Sequence, residues 1–366
     1  MFTFEVLIKA FLIGGMFLLA FLNFSHAVQV NRKANIWFGV FAIFWSTFWL
    51  DEMLYLGELK YHMIYQVGVV FIQFLVPLTF LISVYYYTNP DYKFGKYRII
   101  LFLVPLLILI ALSLKEVLAE ETYHILVLGL FFAHAITCVV LAYFKVHRHQ
   151  KLIQSFSSHT QDVDLRWIKY IIYAFIGSSL LILAYNLLLP NRNLNIFANL
   201  FFLFILYLVA FYSIRQQEIF PKGLAIVEEL EKSEEEDSIP NQQKIKLMSD
   251  EDLLAGKERL MLLMDQQEAF LDTELNLLKL ANQMELSSHQ LSYIINNGFQ
   301  QNFFQFINSF RVERAKELLL DPKMMPYNIV SIGFSSGFNS KTAFNTVFKN
   351  STGLTPTSYR QQHRLS

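Results

Sequence analysis

Polar side chains set in or beside long apolar runs mark the first places in this chain where chemistry is expected. Glu5 and Lys9 interrupt the first run, Asp51 and Glu52 fall in the second, and His62 and Gln66 lie at the start of the third. Lys115 and His124 lie around the fourth and fifth runs, and Asn186 sits in the sixth. Ionisable groups are costly in an apolar medium, so their default reading is functional. The chemistry on offer is recognition rather than catalysis. No glycine-rich loop cradles a phosphate, no HExxH is present, and no serine or cysteine has a plausible base beside it, so the chain is not expected to be an enzyme. His134 reads as a packed residue in mid-run, and His147 and His149 flank Arg148 without further ligands, so neither a metal nor a cofactor is expected. The single cysteine, Cys138, excludes an intrachain disulfide.

The elements that must hold these groups follow from composition. Hydrophobic residues make up 54% of the 366 and charged residues 16%, against about 25% charged in an ordinary soluble domain. Long apolar runs end near Arg215, and after Lys222 charge returns to normal density. A bilayer core takes roughly 20 helical residues. Seven runs fit: Phe4 to Val28, Ile36 to Leu56, Ile64 to Tyr87, Ile99 to Leu118, Tyr123 to Phe144, Tyr170 to Leu189 and Ile196 to Ile214. With the N-terminus outside, the inner loops carry ten Lys and Arg residues and the outer loops only Lys60, Lys115 and Arg192. That bias places everything after Arg215 in the cytoplasm. Ser25-His26-Ala27 has the spacing of a signal-peptide cleavage site, but cleavage would leave six spans and push Arg32 and Lys33 outside, so the first span is expected to stay. In this topology Lys9, Asp51, Glu52, His62, Gln66 and Asn186 all approach the outer face, where they are expected to line a ligand pocket; the alternative is interfacial snorkelling and local pairing, as of Glu5 with Lys9. Pro77 and Pro105 are expected to kink the third and fourth spans.

The fold class is therefore all-α: a seven-helix transmembrane bundle over 1–214, an acidic juxtamembrane linker over 215–252, and a soluble all-α domain with two helix-turn-helix units over 253–366. In the first unit Leu277 to Ala281 is a short helix, Met284 to Ser288 the turn, and His289 to Asn296 the second helix. In the second, Ile329 to Ser335 supports, Ser336-Gly337-Phe338-Asn339 turns, and Ser340 caps a helix from Lys341 to about Asn350. Between them Phe303 to Leu320 forms a longer helix with Phe303, Phe304, Ile307, Phe310, Ala315, Leu318 and Leu319 on one broad apolar face. It spans roughly 27 Å, of the order of one DNA turn. From Glu228 to Asp252 there are ten acidic residues and three lysines, whereas from Asn276 onward nine Lys and Arg outnumber four acids. A basic module on an acidic connection suits a polyanionic partner.

The ordered residues Phe306 to Leu319, Ile329 to Phe334, Gly337 to Ser340, Phe344, Phe348-Lys349 and Gly353 to Arg360 closely resemble the AraC/XylS DNA-binding domain over roughly the last 90 to 100 residues. The whole arrangement is similar to membrane-bound AraC-type regulators of Bacteroidetes bacteria. The resemblance implies sequence-specific binding to promoter DNA. Carried over by position, it implies base-facing roles for His289, Ser292, Tyr293 and Asn296 in the first unit and for Lys341, Thr342, Asn345 and Thr346 in the second. Arg311, Lys349 and Arg360 are expected to support backbone contacts or the fold itself. Two positions depart from the family: Thr346, where arginine is frequent, and Gly333, where alanine is usual. The expected partners are double-stranded promoter DNA, the lipid bilayer, a second copy of the chain, and a small-molecule, lipid or protein signal entering the bundle. The expected location is the inner membrane. Span seven runs straight into Arg215 to Phe220, and Pro221-Lys222-Gly223 is expected to break or bend that helix. The rival reading is a membrane receptor or transporter whose helical tail is a protein-interaction module.

Overall fold

A computed structural model describes residues 4–27, 30–54, 62–93, 100–158, 165–188, 195–216 and 247–363. Fourteen α-helices account for most of them, and among the described residues the only β pairing is an isolated antiparallel bridge between Ser157 and Asn276. Two compact units divide the chain. The first holds residues up to His149 and again from Leu165 to Ile219; the second holds Gln150–Asp164 with Phe220–Ser366.

The first unit contains α1 (Phe4–Phe24), α2 (Arg32–Met53), α3 (Met63–Thr88), α4 (Ile100–Ser113), α5 (Glu120–Phe156), α6 (Arg166–Leu188) and α7 (Asn195–Arg215). Within α1, α3, α5 and α7 lie stretches long and apolar enough to cross a membrane, and α4 contributes the shorter apolar stretch Leu103–Ser113. Charged residues at both ends of α2, Arg32, Lys33, Asp51 and Glu52, shorten its apolar stretch. The interior is dense in aromatic rings. Trp45 lies against Phe41, Trp49, Phe175 and Phe202, and Phe38 lies edge-on to Trp167. Ile8, Leu12, Met16 and Leu19 of α1 belong to the same core. Three long-range pairs meet buried polar groups, as burial favours: Trp49 Nε1 donates to Asn199 Oδ1 at 2.8 Å, Tyr87 Oη to Asn35 Oδ1 at 3.1 Å, and Trp167 Nε1 to Gln216 Oε1 at 2.9 Å. Half of the most apolar stretch of α3 is buried, against 17% for α5, so α3 is central and α5 peripheral. On α5 an exposed stripe of Ile125, Leu128, Phe132, Ile136, Val140 and Phe144 repeats at one-turn spacing and stops where Lys145 begins.

The second unit contains α8 (Asp250–Gln267), α9 (Leu277–Gln283), α10 (Ser288–Phe299), α11 (Phe303–Leu320), α12 (Ile329–Ser335), α13 (Lys341–Thr352) and α14 (Pro356–Gln362). Helices of seven residues are marginal on their own, and here each start is fixed by a side-chain cap. Ser249, Asn276, Ser287, Asn302, Asn328, Ser340 and Thr355 each accept a hydrogen bond from the backbone N–H three residues on. Ser287 with Gln290 and Asn302 with Gln305 complete reciprocal capping boxes. Helix α8 begins inside the stretch expected to be linker, and it places Leu260, Leu263 and Met264 in a core with Leu280, Leu291, Ile294 and Phe306.

Helix α11 buries more than the single face expected of it. Its first half, through Phe303, Phe306 and Ile307, belongs to the core under α8 to α10; its second half, through Val312, Ala315 and Leu319, belongs to a separate core with Ile332, Phe338, Phe344 and Phe348. Phe306 and Val312, outside the expected stripe, are buried, whereas Phe304, Phe310 and Leu318 are only half-buried.

Candidate nucleic-acid interface

Helices α9 and α10 meet across Met284 to Ser287, and α12 and α13 across Ser336 to Ser340. The two turns repeat one hydrogen-bond pattern. Leu286 N donates to Ala281 O at 2.9 Å, and Phe338 N donates to Gly333 O at 3.1 Å. In each, the residue just before that donor adopts positive φ, 55° at Glu285 and 88° at Gly337, as the Schellman ending of a helix requires. Ala281 and Gly333 therefore occupy equivalent positions, and the missing methyl at 333 has a reason: a Cβ there would stand 2.5 Å from Cδ1 of Phe344.

Each pair offers one polar face. On α10, His289, Ser292 and Tyr293 are half-buried and Asn296 is exposed, while Leu291, Ile294 and Ile295 point into the core. Asn296 Nδ2 donates to Ser292 Oγ at 3.3 Å, which joins two of the expected base-facing groups. On α13, Lys341, Thr342, Thr346 and Lys349 are exposed and Asn345 is half-buried, opposite the buried Phe344 and Phe348. The helical spacing thus gathers each expected set on one side of its helix. Asn297, whose Nδ2 donates to Tyr293 O at 3.2 Å, is an exposed neighbour on α10 outside the expected set.

The expected arginines separate. Arg360 is half-buried and donates from Nη1 to Tyr327 O at 3.2 Å. Arg311 is 2% exposed. Its Nε donates to Phe270 O at 2.7 Å and its Nη2 to Asp272 O at 2.8 Å, with Nη2 also 3.2 Å from Ser158 Oγ and Nη1 3.5 Å from Ser158 O. Burial holds the guanidinium down to about 10, against the opposing pull of Asp272 and Glu274, and leaves it charged at neutral pH. Of the two roles expected for Arg311, support of the fold is the one its surroundings allow, because a guanidinium committed to interior acceptors presents nothing to a phosphate. Sequence reasoning could not find Phe270, Asp272 or Ser158 as its partners, since they are joined to it only in space.

In the first unit the expected pocket residues form pairs. Glu5 and Lys9 bridge at 2.8 Å on α1. Asp51 Oδ1 accepts from Tyr65 Oη at 2.6 Å, and Lys115 Nζ donates to Gln66 Oε1 at 2.7 Å. Tyr65 and Gln66 are neighbours in the first turn of α3, which His62 precedes as N-cap, so four of these elements' polar groups converge on one helix start. Tyr65 was not expected there. The side chains of Glu52 and Asn186 lie outside the described residues. His124 pairs with Glu120 on the exposed side of α5. A separate groove of about 290 Å³ is lined by Tyr170, Tyr173, Ala174, Phe201, Ile205, Leu208 and Tyr212, none of them an expected pocket residue. His134 is buried, stacked on Phe74 at 4.5 Å and close to Cys138, and among the described residues no group of His, Cys, Asp and Glu is arranged to hold a metal.

No curated protein and no solved structure matches the chain. Residues 280–362 match a family model described as a helix-turn-helix domain, so the C-terminal part of this chain is a helix-turn-helix domain of the AraC type, a kind that binds DNA in transcription regulation.

Proposed function

We propose that the chain is a membrane-embedded transcription regulator that senses a signal through seven transmembrane helices and binds promoter DNA through two helix-turn-helix units, α9–α10 and α12–α13. The observation that carries this reading is the repeated pair, with its matched turns and its two polar faces at either end of α11. Helix α11 is 18 residues long, about 27 Å at the usual rise. Recognition helices held about that far apart suit successive major grooves. Lys341, Thr342, Asn345 and Thr346 read bases from α13, and His289, Ser292, Tyr293 and Asn296 from α10, with Lys349 on backbone phosphate.

The exposed apolar stripe of α5 supports the membrane half of the reading, since a stripe of that length facing water is a liability and facing lipid is not. The inclusion of α1 in the shared core supports retention of the first span. The convergence of Asp51, Tyr65, Gln66 and Lys115 on the start of α3 supports a polar binding site at one end of the bundle; Lys9 pairs with Glu5 on α1. The chain acts as a homodimer in the inner membrane with its N-terminus outside.

The test is chromatin immunoprecipitation of the full-length protein, followed by titration of the recovered duplex against protein in lipid nanodiscs at several salt concentrations. Binding that weakens steeply with salt is expected. Recovery of no enriched promoter, together with indifference to every duplex offered, would sink the reading in favour of a tail that docks a protein.

A further inference from the structure

Helix α5 outlasts its apolar stripe. The stripe ends at Phe144, yet the helix continues for twelve more residues to Phe156, roughly 18 Å at the usual rise. From Gln150 on, these residues belong to the same compact unit as the AraC-type domain. Phe156 packs against the core formed by α8 to α10 and the first half of α11. Ser157 pairs with Asn276, the N-cap of α9, in the antiparallel bridge. Ser158 is 3% exposed and is held on every side: its Oγ donates to Leu275 O at 2.6 Å, and its carbonyl accepts from Asn308 Nδ2 at 3.3 Å and lies 3.5 Å from Arg311 Nη1.

Arg311 is the reason this seat matters. It lies where the two cores along α11 meet, between Ile307 of the first and Val312 of the second. Beyond its bonds to Ser158 and to Phe270 and Asp272 on the approach to α9, its Nε would stand 3.1 Å from a Cβ at Gly337, in the turn of the second helix pair. One buried cation thus bonds to the approach to the first pair and to the end of the segment that follows α5, and lies beside the turn of the second pair. A charge in a dry site tolerates little change in its acceptors. Displacing Ser158 removes two of Arg311's acceptors and forces the remaining contacts, which hold the two pairs in register, to readjust.

We propose that residues 150–158 are a coupling strap, a piece of the α5–α6 connection that seats on the AraC-type domain at Arg311 and sets the spacing of its two helix pairs. A change in the bundle reaches DNA through α5, and not only through the chain leaving α7. The inference rests on the DNA-binding reading given above.

The test uses full-length protein in nanodiscs with Ser157→Cys and Asn276→Cys in a Cys138→Ala background. Residues facing each other in an antiparallel bridge have Cα atoms about 4.5–5.5 Å apart, within the reach of a disulfide. Mild oxidation is expected to give an intramolecular crosslink. Affinity is then measured for a duplex that the wild-type protein selects from a randomised library. The oxidised protein, with the strap fixed, and a Ser158→Leu variant, with the strap expelled by overpacking, are expected to differ by about tenfold or more, the usual size of coupling between two sites. Should Ser158→Leu fail to fold, Phe156→Ala, which removes an apolar side chain packed on this core, takes its place. Absence of the crosslink while DNA is still bound overturns the strap alone, as does a crosslinked protein whose affinity matches that of the expelled form. If the wild-type protein selects no duplex at all, the DNA-binding reading fails and the strap's role falls with it.

Discussion

From Ser287 to Phe310 the chain has no Asp, Glu, Lys or Arg, and after Asp321 it has no acidic residue but carries Lys323, Lys341, Lys349, Arg360 and Arg364. The two helix pairs are therefore electrically unlike, and they are expected to contribute differently to one interface. Lys341 and Lys349 are exposed on α13 and are proposed to supply charge; Asn296, exposed on α10, is proposed to supply hydrogen bonds without charge. Replacing both lysines by alanine is expected to weaken binding to all sequences and to lower the slope of log affinity against log salt by about one unit per lysine. Asn296→Ala should leave that slope alone and cost about 1–3 kcal/mol of discrimination between the selected duplex and a scrambled one. Titrations over a range of salt separate the two, and an equal loss of slope from both variants would contradict the division of labour. Arg311 belongs to neither class. Arg311→Met leaves the carbonyl of Phe270 and the hydroxyl oxygen of Ser158 without their buried donor and takes one of two donors from the carbonyls of Asp272 and Ser158, and a loss of about 3 kcal/mol or more is expected. It should register as faster hydrogen exchange in peptides from 303–320. Arg311→Lys is expected to rescue little, because an ammonium cannot reproduce the planar fork that reaches these acceptors together.

At the scale of elements, the duplicated turn makes its own prediction. Glu285 and Gly337 hold the same left-handed position, but their surroundings differ: a Cβ at 337 would lie 2.6 Å from the carbonyl oxygen of Phe270. Gly337→Ala combines unfavourable φ with a backbone clash and is expected to cost about 1–3 kcal/mol. Glu285→Gly relieves the same φ and should be neutral or stabilising by up to about 1 kcal/mol, with unfolding of the C-terminal unit followed by hydrogen exchange. Gly333→Ala, which restores the residue usual in the family, is expected to destabilise here because the Phe344 ring fills the space a methyl would need. These elements were legible from local signals. Ser340 before Lys341 marked a helix start, the helix expected from His289 begins one residue earlier at Ser288 behind its cap Ser287, and Ile329 to Ser335 has the expected limits, because a cap and a turn are decided within a few residues. The start of helix α8 was not resolved because its first turn, Asp250-Glu251-Asp252, continues an acidic run, Glu228 to Asp252, that reads as a mixture of helix and flexible tether, although carboxylates in a first turn favour a helix start. The second buried face of α11 and the end of α5 were missed for a different reason. Both depend on what packs against them from distant sequence, and periodicity along one helix carries no such information.

At the scale of the molecule, two independent lines bear on which side of the membrane the AraC-type domain occupies. In the proposed topology the charge bias favours an inner position for the loop after α5, with Lys145, Arg148 and Lys151. The bridge and hydrogen bonds of Ser157 and Ser158 require that same loop to share a compartment with the C-terminal domain, whatever the charges say. An even number of crossings between the loop after α5 and the C-terminal domain satisfies both, and in the proposed topology α6 and α7 supply two. If α7 did not cross, the domain would lie across the bilayer from the serine to which Arg311 is bonded. Single cysteines placed by His62→Cys at the start of α3 and by Asp265→Cys in α8, in a Cys138→Ala background, test the arrangement. A membrane-impermeant maleimide applied to spheroplasts is expected to label the first and to reach the second only after lysis. Labelling of the α8 cysteine in intact spheroplasts would put the domain outside, where no promoter is available. It would leave the bonds between Ser158 and Arg311 intact but require the loop after α5 to lie outside as well, against its basic charge.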